Sequence, residues 1–146
     1  MDLKRGIEFI GVNCIFFCHD GAGKFLLHKR GQDCRDEKGA WDCGAGAMEF
    51  GESFEETISR EVWEEYRVKP IDIRYIDSKN VIREHNGRRT HWIGNLHLVR
   101  IDPARAIIGE PSKIDEIGWF SLDDLPHPLH SQLQNDIAMV KKFLGL

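Results

Sequence analysis

Long apolar runs are missing from this chain: the longest, CIFFC at Cys14 to Cys18 and FLGL at Phe143 to Leu146, fall far short of the ~20 residues that span a bilayer. No secretory leader pattern opens the sequence, so a cytoplasmic location is expected and no membrane partner. Cysteine is sparse. Cys14, Cys18, Cys34 and Cys43 show neither paired CxxC spacing nor a secretory setting, which argues against a disulfide framework or a zinc ribbon and for reduced thiols in or near a core. Basic blocks are absent too: 20 Lys and Arg against 24 Asp and Glu leave a formal charge of −4. That gives no electrostatic footprint for a nucleic acid polymer, although a small anionic ligand needs only a few local cations. Repeats and low-complexity linkers are lacking as well. What remains, 146 residues at 41% hydrophobic and 30% charged, predicts one globular domain over 1–146.

Two apolar runs, IEFIGVNCIFFC and KFLLHKR, flank HDGAG, whose Asp and Gly suit a tight turn, and predict a β-hairpin within Ile7 to Arg30. GQDCRDEKGAWDCGAGAMEFGE, rich in Gly, Asp and Glu without periodicity, reads as loop. A helix follows. Ser53 with Glu56 makes a capping box, and Phe54, Ile58, Val62 and Tyr66 recur every four residues before Pro70. IDIRYIDSKNVIRE and THWIGNLHLVRID, joined through Asn86-Gly87, read as a second hairpin. PARAIIGEPSK is a loop, IDEIGWFSL a short strand, and SQLQNDIAMVKKFLGL a closing amphipathic helix. Interspersed strands and helices with two antiparallel hairpins imply a mixed α/β sandwich rather than a doubly wound parallel sheet.

Between Gly46 and Val68 the chain crowds seven glutamates. A solvated helix face is the ordinary explanation for such a run. On the helix alone that explanation is favoured; yet at about 100° per residue, Glu61 and Glu65 fall on the margin of the apolar stripe, while Arg60 and Arg67 project to the far side, within reach of Glu64 or a loop carboxylate. Like charges at i,i+4 repel, and more strongly as they leave water. A distant Lys or Arg brought in by the fold is one candidate neutraliser and a hard divalent cation the other, since Mg²⁺ takes oxygen ligands and favours sites that also offer substrate phosphates.

Gly46, Glu52, Arg60-Glu61-Val62, Glu64-Glu65 and Val68, at these spacings, resemble the Nudix box, the loop–helix signature of the Nudix hydrolases. The order of elements around it is similar to the Nudix fold over nearly the full length: an α/β/α sandwich with a mixed, partly antiparallel sheet and a catalytic loop–helix. Two departures stand out. Arg67 replaces the usual glycine after the helix, where a left-handed cap would cost a non-Gly residue about 1–2 kcal/mol unless the helix ends differently. Gly44-Ala45-Gly46 stands where Pro-Gly-Gly is common.

The resemblance implies hydrolysis of a nucleoside diphosphate linked to another moiety, with Mg²⁺, or Mn²⁺ as a substitute, held by Glu61, Glu64, Glu65 and the Ala45 carbonyl. Arg60 would orient a carboxylate, Glu52 above all. GEP at Gly109 to Pro111 is similar to a loop that supplies a further ligand, here Glu110. Glu61 is the first candidate for general base and Glu116 the second, with Asp115 in the same strand. Arg30 and Lys113 are candidates for holding phosphate. Trp92, with Trp41, Phe50 and Trp119 as alternatives, would stack on a base, and Asn135 with Gln134 would bond its edge. No proline lies between Ile71 and Asp102 and no tyrosine follows Tyr75, which disfavours the ADP-ribose and dinucleoside polyphosphate specialisations. A nucleoside triphosphate, modified or not, converted to monophosphate and pyrophosphate, is the favoured reaction. Nucleotide sugars or ADP-ribose come next, and a catalytically silent nucleotide-sensing module is the reading from a different class. The family's frequent dimers make a homodimer a candidate assembly. His91, His97, His127 and His130 show no zinc spacing and read as core or surface residues.

Overall fold

Alternation in β1 (Gly11–His19) divides the interior in two. Cys14, Phe16 and Cys18 point to one face of the sheet, Ile15 and Phe17 to the other, and each set joins a separate buried cluster. The computed structural model describes residues 2–146. Its sheet runs β3 (Trp41–Asp42), β2 (Phe25–Arg30), β1, β6 (Arg88–Arg100), β5 (Asp72–His85), with β4 (Gly44–Ala47) also pairing β1 and β7 (Ile114–Phe120) pairing β2. On one face lies α1 (Phe54–Tyr66), burying Ile58, Val62 and Tyr66 against Phe16, Leu26 and Val99. On the other lies α2 (Leu133–Leu144), burying Leu133, Ile137 and Val140 against Phe17, Leu27 and Leu98. This is the three-layer α/β/α arrangement with a mixed sheet. β1 and β6 (Arg88–Arg100) are parallel, and the other pairings are antiparallel.

The second hairpin forms as its sequence predicts. β5 (Asp72–His85) and β6 meet at Asn86-Gly87, both at positive φ (52° and 75°), the type I′ geometry for which Asn-Gly is suited. The first differs. β1 meets β2 only at His19↔Phe25, because β4 takes over as the neighbour of β1 along Asn13 to Phe16. The stretch read as loop therefore contains two short strands, β3 (Trp41–Asp42) and β4. Neither carries an alternating apolar signal, and Gly-Ala-Gly-Ala is strand only because it fills a gap beside β1. All four cysteines are free, and Cys14, Cys18 and Cys43 are buried. Among the described residues no helix is long and apolar enough to cross a membrane.

Candidate active site

The loop–helix is built by local hydrogen bonds. Ser53 Oγ accepts from the Glu56 amide at 3.1 Å and the Ser53 amide donates to Glu56 Oε1 at 3.1 Å, the reciprocal capping box expected at this helix start. Just upstream, the Glu52 carboxylate accepts from the Glu49 amide (2.8 Å), Thr57 Oγ1 (3.0 Å) and the Arg60 guanidinium (2.8 and 2.9 Å). Those bonds, Arg60's first, hold its carboxyl down at about 2. Arg60 also donates to Glu61 Oε1 (2.7 Å) and the Ala47 carbonyl (3.1 Å), and lies 3.6 Å from Glu64. Glu52 and Arg60 thus stand behind the cleft and fix the loop to the helix.

In front of them is the carboxylate crescent: Glu61, Glu64, Glu65 and Glu110 line one cleft of about 1090 Å³, together with Ala45 and Gly46. Glu65 is 8% exposed, and its Oε2 is buried with no hydrogen-bond partner among the described residues. Burial, then the charges of Glu61 and Glu110, pushes its carboxyl well above the usual range. Glu61 is raised as well, mainly by burial and against the pull of Arg60. An orphaned buried carboxylate oxygen in a cleft that also holds Glu61, Glu64 and Glu110 matches the oxygen ligands that a hard divalent cation prefers. Close approach demands glycine twice. A Cβ on Gly46 would run into the Glu61 carboxyl, and one on Gly109 into the Glu64 carbonyl.

Glu110 reaches the crescent because its loop seats on the end of α1. The Gly109 amide donates to the Glu65 carbonyl (2.7 Å) and the Ile107 amide to that of Tyr66 (3.0 Å), satisfying carbonyls that a helix C-terminus leaves open. Arg67 takes the left-handed cap (φ 54°, ψ 37°) that the sequence made costly, with its amide on the Trp63 carbonyl. Its guanidinium lies 5.9 Å from the Trp63 ring centroid and donates to the Gly109 carbonyl at 3.4 Å. Those contacts offset part of the strain.

The far end of the cleft is charged but self-paired. Arg30 lies 3.0 Å from Asp36 and 3.7 Å from Asp42; Arg83 lies 2.9 Å from Glu37 and 3.5 Å from Asp36; His130 Nε2 is 2.8 Å from Glu37; Lys79 pairs with Asp136. Asp36, Glu37 and His130 come close enough to share an ion, yet Arg83 and Ser131 already occupy those carboxylates. Asp42 is pushed up to about 7 by burial, against the opposing charge of Arg30.

Of the other sequence-predicted residues, Arg30, Lys113 and Trp92 line the cleft. Arg30 is not a free cation, however, since Asp36 and Asp42 hold it. Trp92 is clamped: a Cβ on Gly6 or Gly11 would meet its indole. Seven of the candidates lie outside the lining. Asn135 and Gln134 are exposed on α2 outside the lining, because the face that α2 buries carries Leu133, Asp136 and Ile137; Gln132 and Asp136 line the cleft instead. Glu116 and Asp115 are exposed on β7 and outside the lining; Glu116 opposes Lys29, one residue out of step with His28. Trp41 packs edge-on against Phe120 in the α2-side core, Trp119 packs against the α1-side core, and Phe50 projects fully into solvent. The sequence reading passed over His28 and Asp42, cross-strand partners that line the cleft. Period-2 alternation from the core residue Leu26 in FLLHKR was the available signal for His28.

Such a loop–helix, with its carboxylates gathered under an α/β/α sheet, defines a Nudix-type protein. The NUDIX domain model matches residues 9–142, and the chain belongs to that family. Among solved structures, a MutT Nudix hydrolase from Burkholderia pseudomallei superposes with a TM-score of 0.79 at 28% identity, covering 91% of this chain and 99% of that one. The Nudix domain of Shewanella oneidensis NrtR, complexed with ADP ribose, gives 0.72 at 21% identity, covering 97% and 90%, and shares the fold. Among curated proteins, an NAD-capped RNA hydrolase NudC from Citrobacter koseri is 29% identical over 113 residues, 77% of this chain and 40% of the relative. That of Pseudomonas aeruginosa strain LESB58 is 33% identical over 97 residues, 64% of this chain and 31% of the relative. The chain thus spans well under half the length of these curated relatives.

Proposed function

We propose that this protein hydrolyses a phosphoanhydride bond in a nucleoside diphosphate-linked substrate, dependent on a divalent cation held at the crescent. The observation that carries this reading is Glu65 Oε2, buried and unpartnered among Glu61, Glu64 and Glu110. Glu61, Glu64, Glu65 and Glu110, with the Ala45 carbonyl, would hold Mg²⁺ or Mn²⁺. Bound there, the ion would neutralise charge on phosphate oxygens and acidify the attacking water. Glu61 takes the proton at Oε2, the oxygen that Arg60 leaves free. Glu52 and Arg60 keep the loop in register with the helix. Glu116, exposed on β7, is set aside as base.

A nucleoside triphosphate, cleaved to monophosphate and pyrophosphate, is the first substrate class. A second is supported by the size of the cleft: about 1090 Å³ lies at the upper end for small-molecule sites and leaves room past the crescent for a second nucleoside. The relatives named as NAD-capped RNA hydrolases support a dinucleotide of that kind. Incubation with Mg²⁺ and a panel of nucleoside triphosphates, oxidised nucleotides, NAD, ADP-ribose and nucleotide sugars, with products identified, tests both. Pyrophosphate from a triphosphate selects the first class, and two mononucleotides from NAD the second. Silence across the panel, with no thermal shift on adding Mg²⁺, would sink the enzymatic reading in favour of a binding module.

A further inference from the structure

One buried side chain at the cleft has no role so far. His28 is 6% exposed, sits beside its cross-strand partner Asp42 on the face that packs under α1, and lines the cleft. Its Nδ1 lies 2.6 Å from the Tyr66 hydroxyl. Tyr66 is fully buried, and its hydroxyl has no second hydrogen-bond partner among the described residues. A phenol that accepted from Nδ1–H would strand its own proton in the core; one that donates to a bare Nδ1 strands nothing. The proton of a neutral His28 therefore resides on Nε2. Burial, reinforced by Arg30 and His130, lowers the pKa to about 4 and keeps the ring neutral. Among the described residues, the buried side-chain polar atoms without a partner are Asn13 Oδ1 and Glu65 Oε2. Nε2 has no hydrogen-bond partner among the described residues and is not one of those fully buried atoms, so it keeps some access on a residue that lines the cleft.

We propose that His28 is a further substrate-contacting residue, its Nε2–H donating to a non-bridging phosphate oxygen of the substrate, and that Tyr66 is the positioning residue that fixes this tautomer. The proposal rests on the pyrophosphohydrolase reading above. A neutral donor suits the place. An imidazolium in the cleft that holds the crescent would compete with the cation there, whereas an uncharged N–H stabilises phosphate charge without displacing anything. Tyr66 also belongs to α1, adjacent to Glu65, so the helix that carries the crescent orients the donor as well.

Three variants and one spectroscopic measurement test this. His28→Leu removes the donor, and kcat/KM should fall about 10- to 100-fold, the usual cost of losing a hydrogen bond to a charged group, while Mg²⁺ still raises Tm. His28→Gln, whose amide NH₂ can reach the position of Nε2, should recover most of that loss. Tyr66→Phe keeps the packing and removes only the hydroxyl, and should lower kcat/KM several-fold. Long-range ¹H–¹⁵N correlation spectra should show the His28 proton on Nε2 in the wild type and a mixture of tautomers in Tyr66→Phe. His28→Leu within twofold of wild type, or a proton found on Nδ1, overturns the proposal. Should the wild type turn over nothing, the functional reading fails; the donor is then decided by whether the Nε2–H resonance shifts on adding α,β-methylene-ADP with Mg²⁺, a shift supporting it and none overturning it.

Discussion

The two ends of one cleft handle charge in opposite ways. At the far end Asp36, Glu37, Asp42 and Asp136 each lie against an arginine, lysine or histidine. At the crescent, Arg60 reaches Glu61 and Glu64 from behind, but no cation among the described residues comes within ion-pair distance of Glu65 or Glu110. Buried carboxylates without counter-charge are costly, and folding alone gives no reason to collect them. The paired end joins loop, hairpin and α2 into one wall. The unpaired end is where the proposed cation would supply the missing counter-charge.

The sharpest way to break this contrast is to neutralise Glu65. Glu65→Gln should reduce turnover at least about 10³-fold if the crescent acts as one charge-stabilising unit. In the metal-free protein at pH 7 the same change should raise Tm, because it removes a carboxylate whose raised pKa destabilises the fold above its unfolded value. Melting curves with and without Mg²⁺ read both: stabilisation by Mg²⁺ in the wild type and little in the variant. A fall in metal-free Tm would mean that Glu65 is structural.

The paired end should respond the other way. Lys79→Met leaves Asp136, 3% exposed, without its partner and should cost about 3–5 kcal/mol in urea unfolding. The double change Lys79→Met, Asp136→Leu should recover most of it. If the single variant costs nothing, the pair is not a buried structural bridge.

Between the two ends, His28 predicts a pH dependence. Its folded pKa of about 4 lies below the value near 6.5 of an unfolded histidine, so the unfolded chain binds the extra proton first. Stability therefore falls as pH drops from about 6.5 to 4, by up to about 3 kcal/mol, and is flat with respect to this group above 7. Unfolding of wild type and His28→Gln across that range should diverge by this amount at the acid end, and parallel curves would remove the prediction. The smallest effect is expected at the edge of the crescent: Arg67→Gly relieves the left-handed cap at the expense of the Trp63 and Gly109 contacts. It should stabilise by about 1 kcal/mol or less without changing turnover.

Much of this was legible in the chain itself. The capping box at Ser53, the period-4 stripe and the spacing of Glu61, Glu64 and Glu65 are local patterns, and helical geometry converts them directly into a face. Asn86-Gly87 likewise names its own turn. What escaped the sequence is non-local. GAGA carries no strand signal, and becomes strand because β1 needs a neighbour. Asn135 was an expectation one residue from the side chain that lines the cleft, since a shift of one position on a helix is about 100° of rotation. Arg30 is a candidate phosphate holder in the sequence, and its pairing with Asp36 and Asp42 is visible only in three dimensions.

By itself, then, the sequence determined the loop–helix, the hairpin at Asn86-Gly87 and the identity of the crowded carboxylates, because hydrogen bonds and side-chain periodicity over a few residues decide those features. Tertiary structure alone decided which charges are paired, which glutamate is buried without a partner, where Glu110 arrives and which hydroxyl His28 meets. Each of those depends on atoms brought together from distant parts of the chain, where burial sets the strength of every charge and hydrogen bond.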